Sequence, residues 1–116
     1  MSTGNHKNLI VWQKSMDLVV LIYRLTDSFP KEEIYGLTQQ MRRSAISIPS
    51  NLAEGRRRLT KPEFTHFCRI AFGSASELET QLEIAERLGY GKIESRQSCQ
   101  SLLDEVLKML NRLSIS

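Results

Sequence analysis

Apolar residues along this 116-residue chain recur at steps of three and four. Strict alternation of period two persists nowhere, so the pattern predicts helices and no sheet. The first predicted helix runs from about Leu9 to Asp27. One row, Trp12, Met16, Val19 and Tyr23, lies beside a second, Leu18, Ile22 and Leu25. A stripe that wide is expected to touch more than one neighbouring helix. Pro30 ends the segment, with Phe29 before it biased away from helical geometry.

The second predicted helix starts between Ile34 and Leu37, with a seam of Leu37, Met41, Ala45, Ile48 and Leu52. Pro49 removes a backbone donor and crowds the carbonyl of Ala45. Because the seam keeps phase through Leu52, a continuous helix kinked at Pro49 is expected, weakened again at Gly55. Thr60-Lys61-Pro62-Glu63 then reads as a helix start: Thr60 caps, Glu63 can close a capping box, and Pro62 is tolerated in the first turn. The third helix has the clearest seam, Phe64, Phe67, Ala71, Ala75, Leu78, Leu82 and Ala85, close to a heptad. Its small residues from Ala71 to Ser76 invite close approach of a neighbour. Gly89 suits a left-handed stop, with Tyr90 making the hydrophobic contact that follows. The fourth helix, about Ile93 to Leu113, carries Leu102, Leu103, Val106, Leu107, Leu110 and Leu113. Four amphipathic helices with short connections predict an all-α, up-and-down four-helix bundle. It forms a single domain over residues 1–116 with a short polar tail at about 1–8.

Composition agrees with this reading. Hydrophobic residues make up 41% and charged residues 25%, ordinary for a globular domain. The longest apolar run, Leu18 to Tyr23, is far short of the ~20 residues that span a bilayer, so no membrane association is expected. The polar start, MSTGNHKN, does not resemble a signal peptide. Cys68 and Cys99 have no metal-ligand spacing, and a reduced, cytoplasmic protein is the expectation.

Candidate chemistry is sparse. A di-iron bundle needs a Glu-x-x-His motif on each of two helices. This chain has one, Glu63 to His66, and its other histidine is His6 in the polar tail. No Gly-rich phosphate loop or nucleophile elbow is present. Cys68 and His66 point ~200° apart on one helix. The sequence therefore predicts a non-enzyme with no metal and no cofactor.

Charge changes the picture more. The net charge is +3, but Arg42, Arg43, Arg56, Arg57, Arg58 and Lys61 face the single acid Glu54 within residues 42–61. Glu77, Glu79, Glu83 and Glu86 follow with no base until Arg87. Arg42 and Arg56 are fourteen residues apart, which on an unkinked helix returns them to within ~40° of one face. Arginine forks pair with phosphates, so these six residues are the candidate nucleic-acid contacts. No aromatic residue interleaves them in sequence, which points to recognition of backbone or shape over base stacking. The competing use is a protein-interaction scaffold, with the basic zone meeting the glutamates of a second copy or an acidic partner.

Several segments together resemble the four-helix-bundle family of 23S ribosomal RNA intervening-sequence proteins. They are Val11-Trp12-Gln13-Lys14, Tyr35-Gly36-Leu37-Thr38, Gln40 to Ala45, Ser47 to Gly55 (SIPSNLAEG), Ala71 to Ser74, Glu77 to Leu82 and Leu88-Gly89-Tyr90. The resemblance covers nearly the whole chain and implies a homopentamer. More distantly, the chain is similar to the accessory variability determinants of diversity-generating retroelements. That relationship implies binding to nucleic acid and to a protein partner such as a reverse transcriptase. Within the motif, Pro49, Asn51, Glu54 and Gly55 cluster at the expected kink. Asn51 and Glu54 are expected there to satisfy backbone groups freed at Pro49.

Overall fold

The computed structural model describes residues 5–115, so the first four residues of the polar tail lie outside the described residues. Four helices form: α1 Ile10–Thr26, α2 Leu37–Arg56, α3 Lys61–Leu88 and α4 Ile93–Ser114. Two single 3-10 turns, His6–Asn8 and Lys31–Glu33, precede α1 and α2. No strand occurs among the described residues. Each helix packs on two neighbours, α1 on α2 and α4, and α3 on α2 and α4. The four close into an up-and-down bundle of 45 × 24 × 20 Å. At ~1.5 Å per residue, the 28 residues of α3 account for nearly the full length.

The core follows the predicted seams with one departure on α3, where Phe67 is only half-buried and the neighbouring Cys68 is buried instead. Leu18, Ile22 and Leu25 of α1 meet Met41, Ala45, Ile48 and Leu52 of α2. Ala71, Ala75 and Leu78 of α3 meet Leu103, Val106 and Leu110 of α4, and all are essentially inaccessible to water. On α1 only one of the two predicted rows goes inside. Met16, Val20 and Tyr23 stay exposed, with Trp12 and Val19 at the edge of the core. The wide stripe therefore exceeds what one bundle can bury.

Helix ends follow local chemistry. Thr60 Oγ1 accepts from Glu63 N–H at 3.3 Å. Gly89 takes the left-handed conformation at φ 71°, and Tyr90 N–H returns to Ala85 O at 2.9 Å. The Tyr90 ring then lies 5.3 Å from that of Phe29, closing the α3–α4 end.

One local expectation needs correction. α2 runs as one helix through the buried Pro49, but Asn51 and Glu54 do not serve the Ala45 carbonyl that Pro49 leaves without its donor. Asn51 Nδ2 donates to Ser47 O at 2.8 Å and to Ser47 Oγ at 2.9 Å, while Glu54 accepts from Arg58. A helical side chain leans back toward the residue four before it, which for Asn51 is Ser47. The small stretch of α3 does meet a neighbour closely, with Ala71 and Ala75 fully buried and Ser74 Oγ 2.8 Å from Ser47 Oγ of α2, although Gly73 itself is exposed with open space where a Cβ would stand. A second close approach is at buried Gly55, where an added Cβ would come within 2.7 Å of Phe67 Cβ and 3.3 Å of Phe64 Cδ1.

Candidate nucleic-acid interface

Fourteen residues of helix separate Arg42 from Arg56, about 20 Å along α2. The six basic residues therefore occupy two places. The first is the α1–α2 side near the start of α2. There Arg42 Nε donates to Thr26 Oγ1 at 2.9 Å, Nη2 reaches Tyr23 O at 3.4 Å, and the guanidinium stacks 4.4 Å from the Tyr23 ring centroid. Asp27 lies 3.7 Å away. Arg42 is thus spent on the C-terminus of α1, a cation closing a helix end.

Arg43 points the other way, into an open polar cleft of about 390 Å³ between α2 and α3. That cleft is stitched by Ser44 Oγ donating to Glu77 Oε1 at 2.9 Å and by the 2.8 Å contact of Ser47 Oγ with Ser74 Oγ. Glu77 is therefore tied within its own subunit.

The second place is the α2–α3 turn. Four residues connect the two helices, which brings the last turn of α2 against the first turns of α3. Arg56 lies 5.7 Å over the Phe64 ring and Arg58 4.9 Å over the Phe67 ring. Glu54 Oε1 accepts from Arg58 Nη2 at 2.6 Å. The Nε atoms of Arg56 and Arg58 are buried with no partner among the described residues. Arg57 and Lys61 are exposed. Arg69, one face further along α3, is exposed as well and donates from Nε to Ser114 O at 2.9 Å.

These contacts overturn the expectation that no aromatic accompanies the arginines. Phe64, Phe67 and Tyr23 each lie under one, contributed by the helix across the contact. Sequence proximity could not show that. A usable signal was present in the Thr60–Glu63 helix start, because a helix that restarts right after Arg58 must lay its first turns beside the last turn of α2. Arg69, Phe67 and His66 are the residues this overlooked.

Antiparallel order divides the charge along the bundle. The end holding the α2–α3 turn also holds the start of α1 and the end of α4. Its half carries nine bases, Lys7, Lys14, Arg56, Arg57, Arg58, Lys61, Arg69, Lys108 and Arg112. The acids there number five, Asp17, Glu54, Glu63, Asp104 and Glu105. The other half carries seven bases and eight acids, with Glu77, Glu79, Glu83 and Glu86 among the latter. The bundle has a basic pole and a near-neutral one.

No group of three or more His, Cys, Asp or Glu is placed to hold a metal ion among the described residues. His66 and Glu63 share a cleft with the cation Arg58. Burial pushes the Cys68 thiol up to about 11, opposed in part by the Arg56 charge, and burial alone pushes Cys99 up to about 11. Both thiols are inert at neutral pH. No helix among the described residues is long and apolar enough to cross a membrane.

Comparison with solved structures finds a protein of unknown function from the S23 ribosomal protein family of Bacteroides thetaiotaomicron. The two share 25% identity and a TM-score of 0.81, over 92% of this chain and 100% of that one. A search of curated proteins finds no match. The model of the 23S rRNA-intervening sequence protein family matches residues 7–112, and with four helices in the expected order the chain belongs to that family.

Proposed function

We propose that the protein is a non-catalytic, self-assembling nucleic-acid-binding protein that grips the phosphate backbone of structured RNA, or of an RNA–protein complex, at its basic pole. The observation that carries this reading is the gathering of Arg56, Arg57, Arg58 and Lys61 at the α2–α3 turn, with Arg69 sharing a cleft with Lys61 on the first turns of α3. Arg57 and Lys61 make no side-chain hydrogen bond or ion pair among the described residues and are exposed to meet phosphates directly. Arg56 and Arg58 present guanidiniums braced on aromatic rings, which lowers the entropy lost when a phosphate docks. Arg43 is a separate, weaker contact, and Arg42 contributes through the fold.

Self-assembly, as a pentamer in line with the family resemblance, is supported by the exposed row Met16, Val20 and Tyr23 on α1 and by exposed Ile46 on α2. An assembly of several copies would multiply weak contacts into avid binding. In this reading the protein works in the cytoplasm, and a protein partner such as a reverse transcriptase would dock on the assembled complex.

Fluorescence anisotropy of the purified protein against a structured RNA and a duplex DNA, across a salt series, tests the first part. A steep fall of affinity with salt supports phosphate contacts. No binding to either at low salt would shift the reading to a scaffold whose basic pole meets an acidic protein.

A further inference from the structure

Beside the charge, the basic pole has a stacking surface. Arg58 lies 4.9 Å over Phe67, and the ring of exposed His66 meets Phe67 edge-on at 5.4 Å and 73°. Arg58, Pro62, Glu63, His66 and Phe67 line one cleft of about 480 Å³. Glu54 fixes the tip of Arg58 at 2.6 Å, and its Nε is buried without a partner among the described residues. The guanidinium is thus held in place between Glu54 and the Phe67 ring. Glu63, exposed at the cleft, is a carboxylate acceptor, and Arg57 and Lys61, adjacent in sequence to the lining residues Arg58 and Pro62, are exposed cations.

These features select a ligand. A free phosphate would meet the Glu63 carboxylate in the cleft and find the tip of Arg58 already held by Glu54. An apolar side chain would leave Glu63 and Arg58 unused. A planar ring with amino donors on its edge and phosphates on either side uses every group. Unpaired bases stack on aromatic rings and on arginine planes, and a carboxylate accepts from the amino group of cytosine.

We propose that this cleft receives one unpaired nucleobase of a single-stranded segment, loop or end, with the flanking phosphates on Arg57 and Lys61. The proposal rests on the nucleic-acid reading above and deepens it, because a base can enter the cleft only where the strand is unpaired. A base with an exocyclic amine, cytosine, adenine or guanine, would be preferred over uracil.

The test is anisotropy of the full chain with labelled oligocytidine, oligouridine and a fully paired RNA duplex of equal length, at matched salt. Oligocytidine is expected to bind tightest. His66→Ala, at an exposed position that leaves the core intact, should weaken it by about tenfold and leave duplex binding unchanged. Arg58→Lys keeps the charge and loses the planar face, so it should weaken the single strand more than the duplex. Glu63→Gln should narrow the gap between cytosine and uracil. Circular dichroism checks that each variant is folded. Equal binding of single strand and duplex, with His66→Ala at wild-type affinity, overturns the base cleft and leaves the basic pole standing. Failure to bind any of the three probes at low salt overturns both.

Discussion

Arg42 donates its Nε–H to Thr26 Oγ1 at 2.9 Å, joining the start of α2 to the last turn of α1. Thr26 Oγ1 in turn donates to Ile22 O at 2.7 Å, so the guanidinium completes a buried hydroxyl and covers the Tyr23 ring. The residue that opens the basic zone in sequence is a structural fastener.

Arg42→Ala is accordingly expected to lower stability by about 1.5–3 kcal/mol, the usual effect of losing a charged hydrogen-bond donor to a buried partner. It should leave affinity for RNA near wild type. Urea unfolding and anisotropy on the same variant separate the two effects. Loss of RNA affinity without loss of stability would return Arg42 to the binding surface.

Arg57 and Lys61 carry the opposite expectation. Both are exposed, and neither has a polar side-chain partner among the described residues, so Arg57→Gln and Lys61→Gln should cost little stability. Each phosphate contact removed should reduce the slope of log affinity against log salt by about 0.9 on a duplex or about 0.7 on a single strand. An unchanged slope in the double variant would place the phosphates elsewhere.

The fold was legible because the apolar seams at Met41–Leu52 and Phe64–Ala85 hold helical phase over many turns, and Thr60 and Gly89 mark the ends by local chemistry. The candidate site was legible as charge but not as geometry. Spacing along a helix put Arg42 and Arg56 on one face and about 20 Å apart, but it says nothing of which neighbour takes each side chain. Phe67 and His66 were hidden for the same reason, since they belong to the next helix. Asn51 bonding Ser47 was hidden because the missing donor at Pro49 drew attention to Ala45.

Gly55 and Gly73 give a paired test of close packing. Gly55→Ala would force a Cβ to 2.7 Å from Phe67 Cβ, and overpacking of this kind costs about 1–3 kcal/mol. Gly73→Ala meets open space on an exposed helical position and should gain about 0.5–1 kcal/mol from helix propensity alone. Urea midpoints moving in opposite directions would bear this out. A neutral Gly55→Ala would mean that the α2–α3 contact yields easily.

The outward row on α1 predicts an assembly that charge can break. Met16→Lys with Val20→Lys alters two exposed side chains on one face, so the isolated bundle should keep its helical spectrum. Light scattering should register a drop from oligomer to monomer, because burying two ammonium groups in an apolar contact is prohibitive. An unaltered mass would free this face from assembly and turn attention to the polar cleft around Arg43.

The two buried thiols set an alkaline limit on stability. Burial raises both from an ordinary 9.0 to about 11, so between those values the unfolded chain has released protons that the folded chain still holds. Stability should then fall as pH rises from 9 to 11, and the thiol contribution should be fully present below 9. Other groups titrate in that range, so the measurement is a difference. Urea midpoints of wild type and of the Cys68→Ala, Cys99→Ala double variant, compared at pH 8, 9, 10 and 11, isolate the thiols. The double variant loses packing at every pH but should decline less steeply above 9, so the gap between the two proteins narrows with pH. A constant gap would mean that the thiols ionise no differently folded or unfolded.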